Sequence, residues 1–473
     1  LSLNVNELTG QLPSWIGNQT QLILLGLGAN KLHGPISDSI FRLPNLETLN
    51  LGKNLFSGTV EFGLLKSRSL VSFQLSDNNL SVIGNHNDSE FPSFLHGQNH
   101  LEYVELGGNK IEGHIPTWFM NLGTETLWSL DLRDNRLNGE IPPAICNLTS
   151  LVILQLSNNN LSGKLPQCLG NISNSASVLD LHNNSFSGDI PEAFSSDCAL
   201  RAIDFSQNQL EGKIPKSLAN CPKLEILNIE QNKINDVFPS WLGILPELRV
   251  LILRSNRLHG VIGKPKADFE FQRLQIVDLS GTNFSGQLPG TLGNLQSMKE
   301  FDVAECNFSG VIPSSSLGNL TKLNYLDLSY NFFSGKIPPS LVNLLQLTDL
   351  SLSFNNFSSG TLDWLGNLTN LNNVDLQDTN SYGNIPSSLR NLTQLTVLLL
   401  AQNKLTGQIP SWIGNHTQLT SLYLGVNKLH GPIPESIYRL QNLEELDLAY
   451  NFFSGTLDLN LLLKFRNLVS LQL

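Results

Sequence analysis

Apolar positions recur with one spacing along this chain: two apart, then five, then four, with a proline after the last, inside a unit of about 24 residues that returns from end to end. In one such unit the positions are Leu154, Leu156, Leu161 and Leu165, closed by Pro166. The two-residue step predicts a short strand with Leu154 and Leu156 inward and Gln155 outward. An asparagine three positions after the second leucine, here Asn159, turns inward, where its amide can pair backbone groups that would otherwise be buried and unsatisfied. Gly163 permits a positive φ at a bend, and Pro166 begins an extended path to the far side.

The asparagine alone traces the array: Asn6, Asn30, Asn54, Asn78, Asn109, Asn135, Asn159, Asn184, Asn208, Asn232, Asn256, Asn331, Asn355, Asn403, Asn427 and Asn451, with Thr282, Cys306 and Thr379 standing in at three further places. That makes nineteen repeats and the start of another. A repeat of this length and pattern is a leucine-rich repeat, so the expected fold is an α/β solenoid: a superhelix of about 19 repeats with a parallel sheet on its concave face and an irregular or 3-10 convex side. Eighteen steps of about 4.8 Å would make an arc of roughly 85 Å.

We read residues 1–473 as a single array with irregular repeats at 79–101 and 257–275. Residues 1–75 and 398–473 are near-duplicates; over residues 1–58, 39 of 58 positions match those 397 further on. Shared scaffold does not explain a repeated Trp15-Ile16 and Trp412-Ile413, whereas a segmental duplication does. Strand sequence stands at both termini with no polar cap, so we expect the chain to be part of a longer one.

Hydrophobic content of 40% and charged content of 15% suit a long narrow core, and a net charge of -11 argues against nucleic acid as a partner. No phosphate-cradling glycine loop, Cys-x-x-Cys pair or nucleophile elbow occurs, and the acids form a row instead of converging on a base, so no enzyme and no cofactor are expected.

The Leu-x-Gly-x-Ile-Pro form resembles the plant extracellular class. The stretch from Leu210-Glu-Gly-Lys-Ile-Pro to Cys221, continuing through Phe238-Pro-Ser-Trp241 and Leu253-Arg-Ser-Asn256, resembles plant receptor-like proteins that detect pathogen molecules, over residues 135–289. That resemblance implies an ectodomain on the outer face of the plasma membrane, with partner receptor kinases carrying the signal in defence. The ligand implied is an extracellular protein, peptide or glycan held on the concave face. The rival reading is a secreted inhibitor of a pathogen wall-degrading enzyme, resembling polygalacturonase inhibitors, which have about half this length.

Four of five cysteines lie on the convex side of consecutive repeats. Three connectivities are possible, and stacking favours Cys146 to Cys168 and Cys198 to Cys221, the rivals spanning more repeats. Cys306 occupies the ladder place and reads as a buried thiol. Glycosylation sequons begin at Asn18, Asn79, Asn87, Asn147, Asn160, Asn171, Asn183, Asn283, Asn307, Asn319, Asn356, Asn367, Asn391 and Asn415. None lies in the central outward column, so sugars are expected to leave the strands bare.

That column carries Glu105, Asp131, Asp180, Asp204, Asp278, Asp302, Asp327, Asp375 and Asp447, read as a solvated row open to a cationic partner. Departures from the repeat are more telling. Tyr103, Trp128, Arg133, Arg201, Glu225, Glu230, Arg249 and Arg254 mix aromatic anchors with arginines and form the preferred contact patch. Tyr325, Tyr330, Phe354, Tyr423 and Tyr450 form a second, more apolar one. Near the irregular stretch 82–90, His86, Asp88, Glu90, His96 and His100 are donor types for a metal, but loop histidines are usually solvated and no metal is expected. Lys264, Lys266 and Phe269 mark the second irregular loop.

Overall fold

The computed structural model describes residues 1–60, 67–82, 95, 98–172, 174–263, 271–456 and 459–473. They form two compact units, Leu1–Asn235 and Asp236–Leu473. Each unit is a leucine-rich-repeat solenoid whose repeats pair strand on strand in parallel.

Among the described residues the main sheet has nine three-residue strands in the first unit, from Leu24–Gly26 to Ile226–Asn228, and ten in the second, from Val250–Ile252 to Ser470–Gln472. The register is that of the repeat itself: Leu130 lies opposite Leu154, and Leu154 opposite Leu179. Because the side chains of a strand alternate, this stacks leucine on leucine, and Leu130, Leu132, Leu154 and Leu156 have no exposed surface. Behind most of the described strands the chain returns through a 3-10 turn, such as Pro143–Asn147 or Ser411–Asn415, that inserts one more leucine or isoleucine into the core. Two of the described returns are single α-helical turns, Leu169–Ile172 and Ser314–Leu317. The duplicated segment keeps its local form, with a 3-10 turn at Ser14–Asn18 as at Ser411–Asn415.

The ladder asparagine accounts for the polar groups this core would otherwise strand. Asn159 Nδ2 donates to the carbonyls of Leu132, Leu156 and Ser157 at 2.9–3.1 Å, and its Oδ1 accepts the Leu137 amide at 3.0 Å. One carbonyl lies in the preceding repeat, so each amide also ties repeat to repeat. The substitutes do less. Thr282 Oγ1 donates to the Leu279 carbonyl at 2.7 Å, and the buried Cys306 thiol approaches that same carbonyl at 3.3 Å.

Two features differ from the sequence reading. The segment after the asparagine is a second strand and not merely a bend: Asn160–Lys164 pairs in parallel with Arg136–Gly139 and Ser185–Asp189. Alternation explains it, since Leu161 faces the core while Asn160 faces water. Gly163 lies within it at φ +80°, and a Cβ there would come within 2.5 Å of the Glu140 side chain. The second feature is the residue before the ladder position, which is left-handed in repeat after repeat: Asn158 has φ 53°, Tyr330 51°, Phe354 51°, Val426 52° and Tyr450 56°. That turn aims the following asparagine inward.

Disulfides join Cys146 to Cys168 and Cys198 to Cys221, each between consecutive returns, with Cα atoms 5.8 and 4.7 Å apart. His86, Asp88, Glu90 and His96 near the first irregular repeat, and Lys264, Lys266 and Phe269 in the second, lie outside the described residues.

Candidate ligand-binding face

Five residues of each repeat stay out of the leucine core around the first strand. In the sequence Leu127 to Asn135 they are Trp128, Ser129, Asp131, Arg133 and Asp134, and stacking turns them into five columns across the strands.

The first predicted patch divides among three of these columns. Trp128, Arg201, Glu225 and Arg249 take the first, Tyr103 the second, and Arg133, Glu230 and Arg254 the fourth, which is five residues further along the strand. Within the first unit, Tyr103 meets Trp128 edge to face with centroids 4.3 Å apart. Arg133 pairs with Asp131 at 3.2 Å, and Arg201 with Glu225. Two repeats separate these groups, so they form two small clusters; Glu230, 9% exposed, is largely covered. In the second unit Arg249 pairs with Glu247 at 3.9 Å and Arg254 with Asp278 at 3.7 Å.

The second patch is confined to the second unit. Tyr330 stacks on Phe354 with centroids 4.5 Å apart and planes 20° from parallel. Both occupy the left-handed fifth column, as does Tyr450, which is 83% exposed. Tyr325 and Tyr423 stand in the second and third columns, and each phenol is tied to an acid: Tyr325 to Asp302 at 3.4 Å, Tyr423 to Glu445 at 2.9 Å. Burial, aided by these carboxylates, raises both phenol pKa values.

The acid column is not the freely solvated row expected from the sequence. Asp131 is only 6% exposed. Burial pushes its carboxyl up to about 6 against the opposing help of the Arg133 amide and guanidinium, and pushes Asp302 up to about 7, with Asp278 and Asp327 adding repulsion. Glu105 and Asp327 shift upward for the same first reason. The sequence shows acids at this position but not the neighbours that cover them. Small residues in the fourth column lower one wall: Ser280, Ala304, Ser329 and Ser353 replace the arginines found elsewhere, and the hydroxyls of Ser280 and Ser329 bond to the acids of their own strands at 2.6 Å.

Among the described residues, Asp180, His182 and Asp204 offer donor atoms within 4.8 Å of one another, the spacing a divalent ion could use. Ser157, Ser206 and Asn228 already donate to those carboxylates, and His182 Nδ1 lies 2.7 Å from Asp180.

Of the sequon asparagines, the twelve whose side chains are described are all exposed. They sit at the ends of 3-10 turns, as do Asn18, Asn147, Asn367, Asn391 and Asn415, at the head of the flanking strands, as do Asn79, Asn160, Asn283, Asn307 and Asn356, at the exposed Asn319, or in the fifth column, as does Asn183. Asn87 and the side chain of Asn171 lie outside the described residues. No helix among the described residues is long and apolar enough to cross a membrane.

Models of the leucine rich repeat match residues 174–234 and 213–258, and also 100–122, 126–148, 150–172, 273–295, 322–344, 346–368 and 394–416, together just over half of the chain. By sequence the chain is similar to Receptor-like protein 32 of Arabidopsis thaliana, 32% identical over 228 residues, which are 42% of this chain and 26% of that protein. It is likewise similar to Receptor-like protein 54 of the same plant, 30% identical over 278 residues, 47% of this chain and 35% of that one. The chain thus spans about a quarter to a third of the length of these curated relatives. By structure it is similar to the Arabidopsis receptor kinase HAESA, solved in complex with the peptide hormone IDA and the co-receptor SERK1, with a TM-score of 0.83 and 33% identity over all of this chain and 77% of that one. The chain belongs to the leucine-rich-repeat family, and its likeness within that family is to plant receptor-like proteins.

Proposed function

We propose that this chain is the ligand-recognising part of a plant cell-surface receptor-like protein that acts in defence, captures an extracellular protein, peptide or glycan on its strand face, and passes the event to partner receptor kinases. It works by binding and not by catalysis. One observation carries the reading. The exposed sequon asparagines lie on the returns, on the flanking strands and at one margin, so sugars attached there would leave the central columns of the strands bare, as a recognition surface needs. Likeness to a receptor kinase solved with a peptide hormone and a co-receptor supports both the kind of ligand and the kind of partner.

The contact residues we propose are the two clusters of the first unit, Tyr103 with Trp128 and Arg201 with Glu225, together with Arg249, Arg254 and the aromatic group around Tyr330. Aromatic and arginine side chains on a rigid sheet can deliver most of a binding energy from few positions. The test is capture of extracellular plant proteins and peptides by the glycosylated chain, repeated with Trp128→Ala and with Arg249→Ala. Loss of a specific partner in either variant, with the chain still folded, supports the reading. Capture of nothing by a folded, glycosylated chain, or a partner held through the returns, would overturn it.

A further inference from the structure

The strand face of the second unit between Asp278 and Asp375 combines three features. Its third column is acidic at four of five strands, Asp278, Asp302, Asp327 and Asp375, with Asp349 one column over. Among the described residues no lysine or arginine pairs with Asp302, Asp327, Asp349 or Asp375; Arg254 reaches Asp278, at the near end. Adjacent carboxylates about 4.8 Å apart repel by roughly 1 kcal/mol per pair even in water, and more where they are covered. Each of the four column carboxylates accepts the backbone amide two residues on, and Asn50 and Asn228 accept the same bond without a charge, so the turn needs the oxygen and not the charge.

The second thing is shape. Tyr325, Asp327, Asp349, Ser351, Asn373 and Asp375 line a shallow depression of about 260 Å³. Beside it the fourth column carries only small side chains from Ser280 to Ser353, of which Ser329 and Ser353 are buried. The third is the aromatic face in the fifth column, the Tyr330 and Phe354 stack, with Tyr330 51% exposed. Carboxylates in one column and an aromatic face two columns away suit a guanidinium or ammonium group, which gains from both.

We infer that this face binds an extended, positively charged peptide segment lying across the strands, with its Arg or Lys side chains directed at Asp302, Asp327 and Asp375 and flanked by Tyr330 and Phe354. Four inter-strand steps cover about 19 Å, the length of roughly six extended residues, so basic residues at alternate positions match the row. The inference rests on the receptor function proposed for the chain and gives its ligand a charge and a place.

The test uses the 473-residue chain and two fluorescein-labelled octapeptides, one alternating Arg and Ser, the other Glu and Ser, with binding read by fluorescence polarisation. Asp302→Asn with Asp327→Asn and Asp375→Asn should weaken the Arg-Ser peptide at least tenfold. Glu192→Gln with Asp363→Asn and Glu435→Gln removes the same charge from exposed places off the face and should change binding less than twofold. Tyr330→Ala with Phe354→Ala, which keeps every carboxylate, should weaken it about fivefold; this pair also serves if the triple asparagine variant loses its circular dichroism spectrum. Equal losses from the two charge triples, or binding indifferent to both the acids and the aromatic pair, would overturn the inference and reduce any binding to net charge. Tighter binding of the Glu-Ser peptide to the strand face would also overturn it, yet leave the receptor function standing.

Discussion

Replacing Asn355 by alanine isolates the contribution of one ladder amide. The side chain is 8% exposed and makes four bonds: Nδ2 to the carbonyls of Leu328 at 2.9 Å and of Leu352 and Ser353 at 3.1 Å, and Oδ1 from the Phe333 amide at 3.0 Å. At about 0.5–1.5 kcal/mol net for each, the substitution should cost about 2–6 kcal/mol, towards the upper end because alanine leaves the partners buried and unpaired. Asn355→Thr should recover about 1 kcal/mol of that, since the hydroxyl of Thr282 keeps one such bond in its own repeat. Urea unfolding followed by circular dichroism gives the global figure. A repeat array need not unfold in one step, so hydrogen exchange at the Phe333 amide supplies the local one. If leucine packing alone held the second unit together, the alanine variant would lose less than about 1 kcal/mol and the Phe333 amide would exchange as slowly as before. That result would refute the stabilising role of the inward amides.

Three further outcomes follow from particular residues. His416 is 2% exposed at a place where other repeats bury Leu344, Leu368 and Leu392, and burial holds its imidazole below the ordinary 6.5. The neutral ring is the folded form, so its share of stability is present above pH 6.5 and lost as pH falls below it; His416→Leu should flatten the fall in urea midpoint between pH 7 and pH 5. Asp302 shifts the other way: with its carboxyl raised from 3.8 to about 7, its share is fully present below 3.8 and lost as pH rises through 7. Asp302→Asn should therefore raise the urea midpoint most at pH 8, less at pH 5, and not at all below pH 3.8. Val426 is β-branched, 47% exposed and held at φ 52°, so Val426→Asn should stabilise the chain by about 1 kcal/mol in the same assay.

Where the sequence was legible, one residue type answered to one physical demand. A leucine pair two apart can only stack inward, and an asparagine three positions on is the residue that closes the backbone bonds, so strands, core and register are all readable from the letters alone. The flanking strands were missed because Gly163 and Pro166 read as a bend, while the alternation at Leu161 that makes the strand was passed over. A signal for the left-handed column was available: Asp77, Gly108, Asp134, Asn158, Asn183 and Asp378 are residue types that tolerate positive φ, and they recur just ahead of the ladder place. The contact residues were harder. Trp128 and Arg133 both depart from the repeat, but letters do not show that they stand at opposite ends of one strand. Nor does an aspartate in a periodic column announce how far its neighbours will cover it, almost wholly at Asp131 and only in part at Asp447.

The backbone at the fifth column is left-handed whatever side chain it carries, and stays so at Glu305 and Asp378, where cysteine and threonine replace the ladder asparagine: valine, tyrosine, phenylalanine and glutamine all adopt it at φ between 50° and 57°. Its side chains are therefore interchangeable fingertips on a fixed hand. New specificity can be written there one substitution at a time, each exchange altering what is touched without asking the framework to move.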